Sequence, residues 1–390
     1  MSVSTITGLD PQSRRCLSLT VREGIIERVE ESPESSDLLL SAGLVDLQVN
    51  GCAGFDVNDH EVTEEIIDGL TGAMLARGVT CFVPAIITAS EQKICRALAT
   101  IAGARRRYAR VAACIPFVHV EGPHISPLNG YRGAHPVEAV RPPSLKEFYR
   151  WQQAGQGLGG MVTLSPHFAE SASYIAALCK QGVHVAIGHT HASPREIHLA
   201  VDAGARLSTH LGNGIAAEMA RHINPIWAQL ADDRLSASFI ADGHHLPEDI
   251  LKVMLRVKGR ERSILVSDSV AVAGLAAGTY TTAVGGRVEL RADGRVCLPG
   301  TELLAGAATS LAECVGNLVQ ITGTSLADSL QMATKNPGKF VGGRGELVAG
   351  ARADVLRFRW EHGVKVEDVW LAGERVYVRD ERKSQQEVAR

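Results

Sequence analysis

The middle of this chain alternates short, unbroken apolar runs with stretches whose apolar residues recur three and four positions apart. Unbroken runs read as strands buried on both faces, and the longer period reads as helices with one buried face. Leu44–Val49 precedes a helix expected over 61–77, in which Ile67, Leu70, Met74 and Leu75 share a side. Val79–Ile87 precedes a helix over 90–104, and 113–120 leads through a long polar loop to a helix over 144–153. Residues 161–164 precede a helix over 170–181. His184–Ile187 precedes one over 193–203, where Ser193, Pro194 and Glu196 form a start signal. Leu207–Leu211, 237–240 and 264–266 complete a set of eight strands. Eight strand–helix units in about 300 residues favour an α/β fold closed into a (β/α)8 TIM-type barrel.

The two ends follow a different rule. Residues 16–46 and 354–378 alternate apolar and polar positions around Gly24 and Gly373, the pattern of β-hairpins. Two β-rich ends flanking a long middle predict one small β-sandwich built from both termini. The expected division is 1–46 and 345–390 for the sandwich and 47–344 for the barrel. The glycine-rich stretch 276–305 reads as a hairpin insertion after the eighth strand, ahead of helices over 306–320 and 325–335.

Composition narrows the class. The 390 residues are 45% hydrophobic with 39 glycines, ordinary for an α/β enzyme. A formal net charge of −3 gives no footprint for nucleic acid, and Arg105–Arg107 reads as a solvated helix end. Eight scattered cysteines without a C-x-x-C pair read as reduced thiols. No apolar stretch reaches the length of a membrane span and the first residues lack an apolar signal core, so the expected location is the cytoplasm, with no membrane partner.

The chemistry lies at the strand ends. Four apolar runs finish in residues that are costly to bury: Glu121 on the third strand, His189 on the fifth, His210 on the sixth and Asp268 on the eighth. Such tips converge on the mouth of a barrel, where active sites are built. Taken singly, a histidine ending a strand is commonly a satisfied polar residue, and Glu121 would serve to cap the loop it begins. Together, one carboxylate and two imidazoles suit a single divalent ion: zinc first, with Fe2+, Mn2+ or Co2+ as alternatives. Three protein ligands leave room for a water, whose pKa zinc lowers to about 7. Asp268 would then move a proton between that water and a leaving nitrogen.

Several segments identify a relative. Gly43–Gly51, His119–Pro123, Arg132–Pro136, Gly188–Thr190, Thr209–Asn213, Ala241–His245 and Val266–Asp268 together resemble the N-acetylglucosamine-6-phosphate deacetylases of the amidohydrolase superfamily. The resemblance implies that Glu121, His189 and His210 hold the metal and that Asp268 is the acid/base. The implied reaction is removal of the acetyl group from N-acetylglucosamine-6-phosphate by attack of metal-bound water. Many amidohydrolases end their first strand in H-x-H and hold a second ion there. Gln48 and Asn50 stand at that place, and the fourth strand's end (162–167) has no lysine, so one metal per chain is expected.

The resemblance also implies substrate contacts at Ala134, His135 and His245, and phosphate contacts at Asn213, Gly214 and Arg221. Arg221 would reach the neighbouring subunit's site in a homodimer. The departures gather on the substrate side: Gly214-Ile215 after Asn213, the text after Arg221, His124 in place of a phenylalanine, and His191 in place of an asparagine. His191, His222 and His244 are expected to be loop residues, and His119 and His184 core histidines bonded to backbone. Two rivals follow from those departures: the same chemistry on an unphosphorylated N-acyl amino sugar or cyclic amide, and a non-catalytic barrel kept as a scaffold.

Overall fold

A computed structural model describes residues 3–380; residues 1–2 and 381–390 of the expected terminal unit lie outside the described residues. Eight parallel strands form one sheet in chain order: Leu44–Val49, Val79–Ile87, Val118–Glu121, Gly159–Leu164, His184–Ile187, Leu207–Ser208, Ser236–Phe239 and Ser263–Leu265. The seam between the first and last is joined by Asp268 N–H donating to Gln48 O and by Asn50 N–H donating to Ser269 O. The nearly closed barrel is filled by Val45, Leu47, Cys81, Val83, Met161, Ile264 and Val266, so its centre is a packed core and its chemistry is confined to the rim.

Helices sheathe the barrel where the apolar period predicted them, including Glu64–Leu75, Glu91–Arg107 and Leu145–Ala154. Ser193 caps Pro194–Ala203 with the reciprocal Glu196 bonds of a capping box. Among the described residues no helix is long and apolar enough to cross a membrane.

Both termini contribute to a single seven-stranded sheet. Leu39–Ala42 from the N-terminal side pairs antiparallel with Val355–Trp360 from the C-terminal side. The first barrel strand opens at Leu44, so the division expected at 46/47 falls inside it. The insertion forms four antiparallel strands, Gly278–Thr282, Gly286–Leu290, Arg295–Cys297 and Leu304–Ala307. Val284, Val288, Leu290 and Val296 cluster with Ile87, Val270 and Val272, clamping the insertion to the barrel mouth.

Two local expectations need correction, and one strand adds to the reading. Residues 109–114 are helical, because Val111 and Cys114 bury one helix face, and the third strand begins only at Val118. The sixth strand ends at Ser208, since the chain turns at His210 with φ 30°. Val3–Leu9 is a strand paired with Cys16–Arg22, although Ser4, Thr5 and Thr7 hide the alternation.

Candidate active site

Three of the four strand-tip residues share a backbone peculiarity as well as a place. His189, His210 and Asp268 hold φ of 47°, 30° and 48°, a region few side-chain-bearing residues adopt. Strain of this kind persists where the surroundings fix it, and it turns each side chain from the barrel wall into the mouth. Glu121 is followed by Gly122 at φ 84°, which lets the chain leave the strand at once.

Glu121 lies at the centre. Its Oε1 is 2.8 Å from His210 Nε2, 3.4 Å from His189 Nε2, and accepts from Gln48 Nε2 at 3.1 Å. Burial pushes the Glu121 carboxyl up, but the two imidazoles hold it well below the usual carboxylate range. Burial likewise lowers the His210 imidazole, and contact with Glu121 raises it above its ordinary value. His189 Nδ1 bonds the Tyr131 carbonyl at 2.9 Å; a carbonyl only accepts, so Nδ1 carries the proton and Nε2 is left as the donor atom. One ligand atom from each of Glu121, His189 and His210 lies within 4.8 Å of the others, all three residues are buried, and His210 Nδ1 has no partner. An N2O donor set of this size fits one divalent ion.

Asp268 stands beside this cluster. Burial and the nearby Glu121 charge push its carboxyl up to about 6, against the opposing pull of His210, His245 and the Asn50 amide. Asn50 Nδ2 donates to Asp268 Oδ1 at 2.8 Å, so the first strand's amides serve the two carboxylates directly. His135 rests its Nδ1 on Thr88 Oγ1 at 2.8 Å, its ring 4.3 Å from that of His189. Burial, reinforced by His189, lowers its pKa to about 3, so the ring is neutral. His245 is held by Asp242, whose Oδ2 lies 2.6 Å from its Nδ1 and whose Oδ1 accepts its backbone N–H.

A cavity of about 550 Å³ gathers Asn50, Glu121, Ala134, His135, His189, His210, Asn213, Gly214, His245 and Asp268 on its walls. Gln48 reaches it only through Glu121. Arg221 is exposed and lies outside the lining, its carbonyl accepting from Trp227 Nε1 at 3.1 Å. Among the described residues the lining contains no lysine or arginine. Sequence reasoning missed the outer lip: Val284, Leu298, Glu302 and Leu303 of the insertion also face the cavity. It also left Asp242 and Thr88 without their supporting roles; Asp242, three residues before His245, carried the only usable signal. His119 bonds the Thr163 hydroxyl at 2.7 Å as well as the Leu47 backbone.

Comparison with known proteins gives a consistent answer. The Amidohydrolase family matches residues 39–376. The N-acetylgalactosamine-6-phosphate deacetylase of Escherichia coli is 30% identical over 91% of this chain and 93% of its own. The mouse N-acetylglucosamine-6-phosphate deacetylase is 30% identical over 90% and 87%. A Mycobacterium smegmatis N-acetyl-D-glucosamine-6-phosphate deacetylase mutant, solved with N-acetyl-D-glucosamine-6-phosphate, superposes with a TM-score of 0.87 at 28% identity, covering 97% of this chain and 100% of its own. The Thermotoga maritima N-acetylglucosamine-6-phosphate deacetylase gives 0.84 at 26% identity, with the same coverage.

Proposed function

The chain belongs to the amidohydrolase family, and from that premise we propose that it hydrolyses the acetamide of N-acetylglucosamine-6-phosphate, a step of amino-sugar catabolism. The observation that carries the reading is the convergence of Glu121, His189 and His210 within 4.8 Å, in one cavity with Asp268. A non-catalytic scaffold would bear the cost of those buried polar tips without a use for them.

The proposed catalytic ion is a single zinc, held by Glu121, His189 and His210. When bound it would supply an activated water and polarise the acyl oxygen. Asp268 takes a proton from the attacking water and delivers it to the departing amine nitrogen, the exchange that a carboxyl near pKa 6 performs at neutral pH. Asn50 keeps that carboxylate aimed, and Gln48 does the same for Glu121. His135 and His245, each anchored through Nδ1, fix the acyl group and the sugar. Asn213 and Gly214 bind the phosphate, and Ala134, on the same cavity, contacts the substrate.

The missing cation gives the proposal its oligomeric form. A phosphate in a cavity without lysine or arginine needs one from elsewhere, and in our reading Arg221 of a second copy supplies it in a homodimer. That same absence is what favours the second reading, an unphosphorylated N-acyl amino sugar. Eight free cysteines accord with a cytoplasmic setting. The division into a barrel and a terminal unit built from both ends is likewise proposed, with its first boundary shifted from 46/47 to 43/44 so that the strand opening at Leu44 stays whole. The test is to incubate the protein with N-acetylglucosamine-6-phosphate and follow acetate and free primary amine. Equal release of both, absent from Asp268→Asn, supports the reading; no release by metal-loaded protein refutes it.

A further inference from the structure

A second pair of imidazoles lies outside the cavity just described. His167, in the loop after the fourth barrel strand, and His191, two residues beyond His189, have ring centroids 4.3 Å apart at 44°. The rings of His189 and His210 are 4.9 Å apart. Both rings of the outer pair line a separate cavity of about 390 Å³, with Tyr131, Met219 and Glu196 on its walls.

Each ring is anchored through Nδ1. His167 Nδ1 lies 2.7 Å from Ser165 Oγ, and His191 Nδ1 lies 2.7 Å from Ser126 Oγ. Ser165 gives its own hydroxyl proton to Thr190 Oγ1 at 2.8 Å, so its oxygen accepts from His167 Nδ1–H. The His167 Nε2 lone pair is left free. Ser126 Oγ accepts from the Leu128 N–H at 3.2 Å, and its remaining lone pair takes the His191 Nδ1–H when Nε2 binds an ion, the arrangement that holds borderline metal ions. Glu196 adds negative charge on the same cavity, its Oε2 held by the Ser193 N–H and hydroxyl.

We propose that His167 and His191 form a second, weaker site for a borderline divalent transition ion such as Zn2+, separate from the Glu121–His189–His210 cluster. Oxygen-preferring ions such as Mg2+ are excluded by the two-imidazole donor set. The two sites share a loop. Ser126, which anchors His191, donates its backbone N–H to His189 O at 2.9 Å; Tyr131, whose ring lies 5.9 Å from that of His191, accepts from His189 Nδ1. An ion at the outer pair therefore stiffens the segment that orients His189.

The test is equilibrium dialysis of the full chain against buffered Zn2+, with metal and protein both quantified. Two equivalents are expected, one stripped by a weaker chelator than the other. His167→Gln and His191→Asn each lose the weaker equivalent and keep the tighter, while Glu121→Gln does the reverse. A single equivalent in the unmodified chain, or a second that survives both histidine substitutions, overturns the proposal. The unmodified protein also decides alone: Cu2+ added to chain from which the weaker zinc equivalent has been stripped gives an electron paramagnetic resonance spectrum with two-nitrogen coupling. Coupling to fewer than two nitrogens contradicts the site.

Discussion

The side-chain amide of Asn50 donates to the Asp268 carboxylate across 2.8 Å, joining the tips of the first and last barrel strands. Asp268→Asn should retain bound metal and lower kcat by about 10^2- to 10^4-fold, the usual worth of a general acid/base. Asn50→Ala should also keep its metal and lower kcat by about 10- to 100-fold with KM little changed. Steady-state kinetics on metal-quantified variants checks both, and loss of metal from either would mean that these residues hold the ion.

Gly214 is the floor under His189. A Cβ there would lie 2.6 Å from His189 Nδ1, at a backbone φ of 60° that already disfavours a side chain. Gly214→Ala should displace the imidazole from the Tyr131 carbonyl and weaken metal binding by about 10- to 100-fold. Competition against a chelator of known affinity measures this directly.

Arg221 distinguishes the phosphorylated substrate from its rival. Arg221→Ala should raise KM for N-acetylglucosamine-6-phosphate by about 10- to 100-fold, from a charged hydrogen bond worth ~1.5–3 kcal/mol. Turnover of the unphosphorylated sugar should be unaffected. Equal KM values in the variant and the parent would remove Arg221 from the site.

Asp46 carries a pH signature of its own. It is fully buried, its Oδ1 accepts from the Gln48 and Ser267 amides, and its Oδ2 has no partner. Burial raises its pKa from 3.8 to about 7. The folded chain therefore holds this proton where the unfolded chain has released it, and the stability it contributes below pH 4 is lost as pH rises towards 7. At 1.36 kcal/mol per pKa unit the change is of order 4 kcal/mol. Denaturant unfolding from pH 4 to 7 should show Asp46→Asn gaining stability relative to the parent; parallel curves would contradict the assignment.

The four strand tips were legible because each is a costly polar residue ending an apolar run, a local signal that survives without any neighbour in view. Gln48 and Asn50 were legible only as departures. Their bonds to Glu121 and Asp268 cross between strands far apart in sequence. The cavity lip was hidden for a related reason: Leu298 and Leu303 lie in a glycine-rich insertion whose pattern shows hairpins but not where they dock. Val3–Leu9 is hidden because Ser4, Thr5 and Thr7 interrupt its apolar alternation.

The most direct measurement is kcat/KM for N-acetylglucosamine-6-phosphate, its galactosamine isomer and unphosphorylated N-acetylglucosamine on one preparation of known metal content. The account predicts one tightly held metal at Glu121, His189 and His210, acetate release, and a clear preference for the phosphorylated glucosamine. Metal-replete protein that releases no acetate from any of the three, or prefers the sugar without phosphate, would contradict it.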